Sequence, residues 1–179
     1  MKRSPSAGGD RPLSDACTDS PIELLPRRYD DADAELLVNA LYAEQLDTYT
    51  FADSPSSEKA DNYAEPSGLF LVAYSPSGQP VGCGGYRIYD RDPRTAEVRK
   101  MYVAPAYRSG GLGWRILSAL EQHATDHGAR RVLLETGALN HAAIRLYVAA
   151  GYEPIPPYVP GRRETNRAFS KTLEVSPSK

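Results

Sequence analysis

A glycine-rich turn between a predicted strand and a predicted helix is the part of this sequence best suited to bind a phosphate. Arg108, Gly111 and Gly113 form an Arg-x-x-Gly-x-Gly pattern that begins shortly after Pro105. The first amides of a helix have no partner within the helix and lie at the positive end of its dipole, so they favour an anion. Because glycine has no side chain, a phosphate can approach the backbone closely.

Two other phosphate-binding motifs fit this turn less well. A P-loop needs Lys followed by Ser or Thr after the glycines, and a dinucleotide-binding turn needs a third glycine at its own spacing. The sequence around Gly113 has neither feature. The remaining alternative is an ordinary connection between a strand and a helix.

Histidine and cysteine give little indication of a metal site. His123 and His127 lie one helical turn apart, a spacing that can bind a metal ion, but no third ligand is evident in the sequence. A solvated helix face is the favoured interpretation, and no metal is predicted. Cys17 and Cys83 form neither a disulfide framework nor a metal motif.

Hydrophobic periodicity and turn residues predict alternating strands and helices. The predicted strands are Pro21–Leu25, Gly68–Tyr74, Val81–Tyr89, Thr95–Val103, Arg130–Thr136, Tyr152–Ile155 and Ala168–Leu173. Four helices are predicted. The first begins at Asp30 or Asp31, and the second spans Ser56–Tyr63. The third runs from Trp114 to about His127, and the fourth runs from a cap at Asn140 to Gly151.

These elements predict an α/β fold with a mixed central sheet and helices on both faces. Short turns join the early strands, which are therefore expected to pair antiparallel. The helix that follows the glycine turn lies between Thr95–Val103 and Arg130–Thr136. Because a strand-helix-strand crossover of this length returns in the same direction, these two strands are expected to be parallel.

Length and composition fit one globular domain. The chain has 179 residues, of which 41% are hydrophobic and 25% charged, and its net charge of −2 gives no support to nucleic-acid binding. We expect the domain to span residues 21–175, between disordered tails at 1–20 and 176–179. The sequence shows no signal peptide and no run of the ~20 apolar residues that span a bilayer, so a cytoplasmic location away from membranes is expected.

Two motifs of the sequence resemble those of the GNAT superfamily of N-acetyltransferases. The run Glu97–Gly113 resembles the central motif of that family. The segment that starts with Leu134-Glu-Thr-Gly and continues through Asn140 to Gly151-Tyr152 resembles the second. The resemblance covers Val81 to Tyr152. It implies a GNAT-like fold in which the parallel central pair is splayed at the acyl-CoA site, with acetyl-CoA as donor and no metal.

The same resemblance implies where the donor binds. Its pantetheine arm is expected along the splayed end of the Lys100–Val103 strand, and its diphosphate on the amides from Arg108 to Gly113. Ser109 and Gly110 depart mildly from the usual motif, which should leave the amides usable but weaken binding of the donor. The donor-binding residues that the resemblance implies are Met101, Tyr102, Val103, Arg108, Ser109, Gly110, Gly111, Leu112, Gly113, Trp114, Asn140 and Tyr147.

Acetyl transfer to an amine needs a group that takes the amine proton and a group that stabilises the leaving thiolate. The resemblance implies Tyr147 for the thiolate, the alternative being a core tyrosine. Glu97 lies where several family members have a base, the alternative being a carboxylate paired with Arg99. His141 is a reserve candidate for the base. For Trp114, packing against the sheet is the favoured interpretation.

The resemblance implies that the acetyl group moves to the primary amine of a small molecule by direct attack in a ternary complex. An acidic stretch between Pro21 and Pro66 would suit a cationic amine, whereas Arg162 and Arg163 would suit an acceptor carboxylate. The alternatives are acetylation of lysines or N-termini of proteins, and a non-catalytic acyl-CoA-binding module. Homodimerisation is common in the family, and nothing in the sequence decides it.

Overall fold

A computed structural model describes residues 21–49, 52–162 and 164–174. The predicted tails at 1–20 and 176–179, together with Cys17 and Arg163, lie outside these residues. Within these ranges, no helix combines the length and the apolar character that crossing a membrane requires.

The described chain forms one seven-stranded mixed sheet with helices on both faces, so the predicted fold class is confirmed. Its strands are β1 (Glu23–Pro26), β2 (Gly68–Tyr74), β3 (Pro80–Tyr89), β4 (Asp92–Val103), β5 (Arg131–Gly137), β6 (Glu153–Ile155) and β7 (Asn166–Thr172). Its α-helices are α1 (Ala32–Thr48), α2 (Leu112–Asp126) and α3 (His141–Ala149). The strand order is β1-β2-β3-β4-β5-β7-β6.

Only the central pair β4–β5 is parallel, as the crossover through α2 predicts. The buried stripe of α2 covers one face of the sheet, where Ile116 and Leu120 are fully buried. Helix α1 covers the other face with Leu37 and Val38. The apolar spacing of α2 thus determines which of its faces packs against the sheet.

Strand β4 contains a bulge at the centre of the sheet. Cys83 pairs with Tyr102 while Gly85 pairs with Arg99, so β4 has one more residue than β3 across this interval. Lys100 lies within this interval, and its left-handed φ of 58° accommodates the extra residue. A bulge of this kind bends a strand and increases its twist, and it lies where β4 separates from β5.

The structure corrects several of the predicted elements and their bounds. The expected helix over Ser56–Tyr63 is a pair of 3₁₀ turns, Pro55–Ser57 and Ala60–Tyr63. These segments bury one side chain, Tyr63, which is too little apolar surface to stabilise a longer helix. Strand β4 starts earlier than predicted because Asp92 already pairs with Tyr89, and α2 starts at Leu112 rather than Trp114.

Candidate functional site

The glycine turn leads into α2 with its amides open. Ser109 and Gly111 have left-handed φ angles of 66° and 79°, and Gly111 caps α2 without a side-chain hydrogen bond. No described group accepts a hydrogen bond from the backbone amides of residues 109–114. Ser109, Gly110 and Gly111 are exposed. The turn therefore has the free donors that an anion-binding helix terminus requires.

The residues that begin α2 differ in how they face this turn. Leu112 is buried in the core, so only its backbone is available to a ligand. A Cβ at Gly113 would lie 3.3 Å from Leu146, which marks close packing of α2 against α3. Trp114 is 45% exposed, so the expectation that it packs against the sheet was wrong. Because it is the third residue of α2, its ring projects away from the buried stripe.

Arg108 connects the turn to the end of β4 and to α1. Its Nε donates a hydrogen bond of 2.8 Å to the carbonyl oxygen of Val103. Its Nη2 lies 2.6 Å from Oε1 of Glu44, and its guanidinium lies 5.7 Å from the ring centre of Tyr102. The side chain is exposed, so it is accessible to an anion in the turn.

Beside the turn, the parallel strands separate and leave a gap. Pairing between β4 and β5 runs from Thr95 to Val98 on β4 and stops at Leu134 on β5. The edge of residues 99–103 that faces β5 has no described strand partner. Met101 and Val103 are partly buried, and Tyr102 is 9% exposed. The gap thus exposes a strand edge that can pair with an extended ligand.

A residue that the sequence analysis did not single out lies at the β5 side of this gap. The Tyr49 hydroxyl accepts a hydrogen bond of 2.9 Å from the amide of Leu139. Its ring lies against Gly137, where a Cβ would overlap the phenol. Only a glycine at the end of β5 leaves space for this ring. Tyr49 and Gly137 are far apart in sequence, so no local pattern indicates the contact.

Tyr147, a residue of α3, lies in the core. It is 4% exposed, and its ring centre lies 5.8 Å from that of Tyr152 and 6.3 Å from that of Phe169. Burial raises the pKa of the Tyr147 phenol well above its usual range. The hydroxyl therefore stays protonated at neutral pH and can donate a hydrogen bond.

Asn140 caps α3, as its position in the sequence predicts. Its side-chain oxygen accepts a hydrogen bond of 3.1 Å from the amide of Ala143. The residue is exposed, as is His141 at the first position of the helix. Whether either residue contacts a ligand stays a prediction.

Glu97 lies in a buried network of charges on the α1 side of β4. Its carboxylate accepts hydrogen bonds from Arg87 at 2.8 Å, Arg99 at 3.3 Å and the Tyr158 hydroxyl at 3.1 Å. The Glu97 side chain is 3% exposed. Glu58 pairs with the same two arginines, at 3.4 Å and 2.8 Å. These contacts favour the ion-pair alternative for Glu97, and its role as a base stays a prediction.

The network continues into two loops. Arg162, from the loop between β6 and β7, pairs with Asp53, which also lies 3.4 Å from Arg99. Burial raises the pKa of the Glu135 carboxyl on β5 and lowers the pKa of the Lys100 ammonium. The Oε1 atom of Glu135 is buried and has no hydrogen-bond partner among the described residues. Both directions of pKa shift follow from desolvation, which disfavours the charged form of each group.

Several known proteins are similar to this chain. The model of the Acetyltransferase (GNAT) family matches residues 38–152. A relative from Azospirillum brasilense, the IAA acetyltransferase, is 37% identical over 124 residues, which are 65% of this chain and 80% of the relative. The Escherichia coli K12 protein YjgM, an N-acetyltransferase that is not characterised, is 36% identical over 66% of this chain and 71% of its own.

Solved structures share the fold. A candidate acyl-CoA N-acyltransferase from Klebsiella pneumoniae aligns with a TM-score of 0.70 and 28% identity, over 86% of this chain and 98% of its own. The yncA protein of Salmonella typhimurium, solved with its cofactor acetyl-CoA, aligns with a TM-score of 0.63 and 22% identity over 89% of this chain and 98% of its own.

Proposed function

This chain belongs to the GNAT family of acetyltransferases, and we propose that it transfers an acetyl group from acetyl-CoA to the primary amine of a small molecule by direct attack in a ternary complex. Acetyltransferase activity and the use of acetyl-CoA as donor follow from membership of this family. The acceptor, the residues that act and the mechanism are the proposal.

One structural relationship carries the proposal: the open amides of residues 109–114 directly follow the uncovered edge of β4. A donor with an anionic diphosphate and an extended, amide-containing arm is complementary to both features in that order. The diphosphate would accept hydrogen bonds from the turn, and the arm would pair with residues 99–103 as an added strand.

The proposed chemistry forms an amide bond and breaks a thioester bond. The amine nitrogen attacks the acetyl carbonyl carbon, the carbon–sulfur bond breaks, and the sulfur receives a proton. A backbone amide near Tyr102 or Val103 would donate to the carbonyl oxygen as negative charge develops on it. Tyr147 would donate to the sulfur, for which its protonated phenol is suited. The amine proton would leave to Glu97 through a water, or to solvent.

The buried charge network supports a small acceptor rather than a long peptide. Loop residues Asp53 and Arg162 are paired across the α1 side of the sheet, next to Arg99 and Glu97. We expect them to limit the space beside the gap and to offer charges of both signs to the acceptor. The relative named IAA acetyltransferase also supports a small acceptor for this chain.

Two measurements test the proposal separately. Calorimetry should detect binding of acetyl-CoA and much weaker binding of S-acetyl-pantetheine, which lacks the diphosphate. Free-thiol release should then be measured with small amines, amino acids and peptides as acceptors. Failure to bind acetyl-CoA would overturn the donor site, and turnover of peptides alone would identify a protein acetyltransferase. Binding without turnover of any acceptor would indicate a non-catalytic module.

A further inference from the structure

Three side chains of types that can ligate a metal ion lie close together at the end of α2 opposite the glycine turn. Their ligand atoms, one each from Glu65, His123 and His127, all lie within 4.8 Å of one another. Oε1 of Glu65 lies 3.3 Å from Nε2 of His123 and 3.7 Å from Nε2 of His127. Glu65 supplies the third ligand that the sequence did not reveal, because it comes from the loop before β2.

These separations are close to what a tetrahedral zinc ion requires. Bonds of about 2.0–2.2 Å at tetrahedral angles place ligand atoms roughly 3.4 Å apart. The carboxylate oxygen of Glu65 therefore already lies near the required distance from both imidazole nitrogens. The rings of His123 and His127 stack with their centres 4.0 Å apart, and His127 and Glu65 are 42% and 67% exposed, which leaves them room to rotate toward an ion.

The other nitrogen of each imidazole is already held by a partner. Nδ1 of His127 lies 2.8 Å from the carbonyl oxygen of His123, which fixes Nδ1 as the donor and leaves Nε2 with a free lone pair. Nδ1 of His123 lies 2.8 Å from the hydroxyl of Tyr86. Histidines that bind metals are typically oriented by such a hydrogen bond on the second nitrogen.

We propose that Glu65, His123 and His127 bind Zn²⁺, with water at the fourth position. Two imidazoles and one carboxylate are a typical ligand set for this ion. The negative end of the α2 dipole adds a favourable field for a cation. The ion would connect the C-terminal part of α2 to the segment that leads into β2, and so would stabilise the fold.

This site lies apart from the proposed donor site. Helix α2 has 15 residues, which separates its two ends by roughly 20 Å. Zinc binding can therefore be measured without acetyl-CoA, and its failure would leave the proposed function untouched.

The test is titration of the purified full chain with ZnCl₂ alone, after treatment with a chelator. We expect one saturable site, with a rise in melting temperature on addition of Zn²⁺ because the ion binds only the folded chain. His127→Ala and Glu65→Gln should each weaken binding at least about tenfold. His141→Ala is the matched control, because it removes the one described histidine outside the cluster, and it should bind as tightly as wild type.

Co²⁺ provides a second readout, because four-coordinate Co²⁺ absorbs strongly in the visible range. We expect this absorption in the wild type and its loss in His127→Ala. Absence of saturable Zn²⁺ binding would overturn the proposal. So would unchanged affinity in His127→Ala and Glu65→Gln, or an equal loss in His141→Ala, since each would show that these three side chains do not form the site.

Discussion

The guanidinium of Arg108 lies 2.6 Å from the carboxylate of Glu44, so α1 holds the first residue of the glycine turn in place. Both side chains are nearly half exposed, so this pair contributes little to stability. If the donor diphosphate binds at this turn as proposed, we expect Glu44 to compete with it for the same guanidinium.

We therefore expect opposite effects from the two sides of this pair. Arg108→Ala should raise the KM for acetyl-CoA about tenfold or more, since it removes a charge-assisted hydrogen bond to the donor. Glu44→Gln should lower that KM by less than about fivefold, because it releases the guanidinium from a weak surface pair. Steady-state kinetics with varied acetyl-CoA measures both, and a higher KM in Glu44→Gln would contradict the competition.

The backbone of the turn predicts a contrast between adjacent glycines. Gly111 has a φ of 79°, so Gly111→Ala should cost roughly 1–2 kcal/mol and misdirect the amides that open α2. Gly110 is the control, because its Cβ would meet nothing closer than 3.9 Å. Gly110→Ala should keep wild-type stability, because Gly110 is not among the residues with a left-handed φ. Chemical denaturation and acetyl-CoA titration compare the two variants, and equal effects would contradict the role of the turn.

Tyr147→Phe should lower kcat about 100-fold, as expected for loss of an acid that protonates the leaving group. Donor affinity should change little, because the ring keeps its core contacts. Tyr63→Phe is the control: this tyrosine is also buried, and its hydroxyl has no partner among the described residues. It should keep wild-type kcat. A wild-type rate in Tyr147→Phe would assign Tyr147 to the core alone.

Glu97→Gln separates the two interpretations of that carboxylate. The substitution removes a negative charge that balances the charges of Arg87 and Arg99 in a buried site. We therefore expect the free energy of unfolding to fall by about 3 kcal/mol. If Glu97 serves only as an ion-pair partner, the pH dependence of kcat should keep its shape in Glu97→Gln. If the ascending limb of that profile disappears in Glu97→Gln, Glu97 is the base.

The pair between Asp53 and Arg162 predicts a pH-dependent contribution to stability. Burial opposes the charge of Asp53, but Arg162 outweighs it and lowers the pKa of Asp53 below its ordinary value of 3.8. The ionised carboxylate therefore stabilises the folded chain above that pH, and the contribution is lost as the pH falls below it. We expect Asp53→Asn to be about 1–2 kcal/mol less stable than wild type at pH 7, and we expect this difference to be smaller near pH 3. Urea denaturation at both pH values measures this difference.

Local patterns in the sequence were sufficient to predict most of the fold. The apolar run Gly68–Tyr74 forms β2 with the predicted bounds, and Asn140 caps α3 as expected. Spacing alone predicts such elements, because burial of an apolar face decides whether a strand or helix forms. The parallel pairing of β4 with β5 followed from the length of the crossover.

The contacts around the site were less predictable because they join distant parts of the chain. Glu97 contacts Arg87 and Arg99, which lie at neighbouring positions of the sheet. Its third partner, Tyr158, lies instead in a proline-rich loop. Tyr49 fills the space above Gly137 in the same way. No periodicity connects residues so far apart, and only the tertiary fold brings them together.

The separation of β4 from β5 also has a consequence for the protein before any ligand binds. Residues 99–103 present backbone groups along an uncovered edge, and such an edge is a template for aggregation. Here the edge is short and enclosed on either side by longer paired strands, so it admits a slender chain more readily than a neighbouring molecule. We therefore expect an uncovered edge in the interior of a sheet to select ligands by their width, whereas at the rim of a sheet such an edge promotes aggregation.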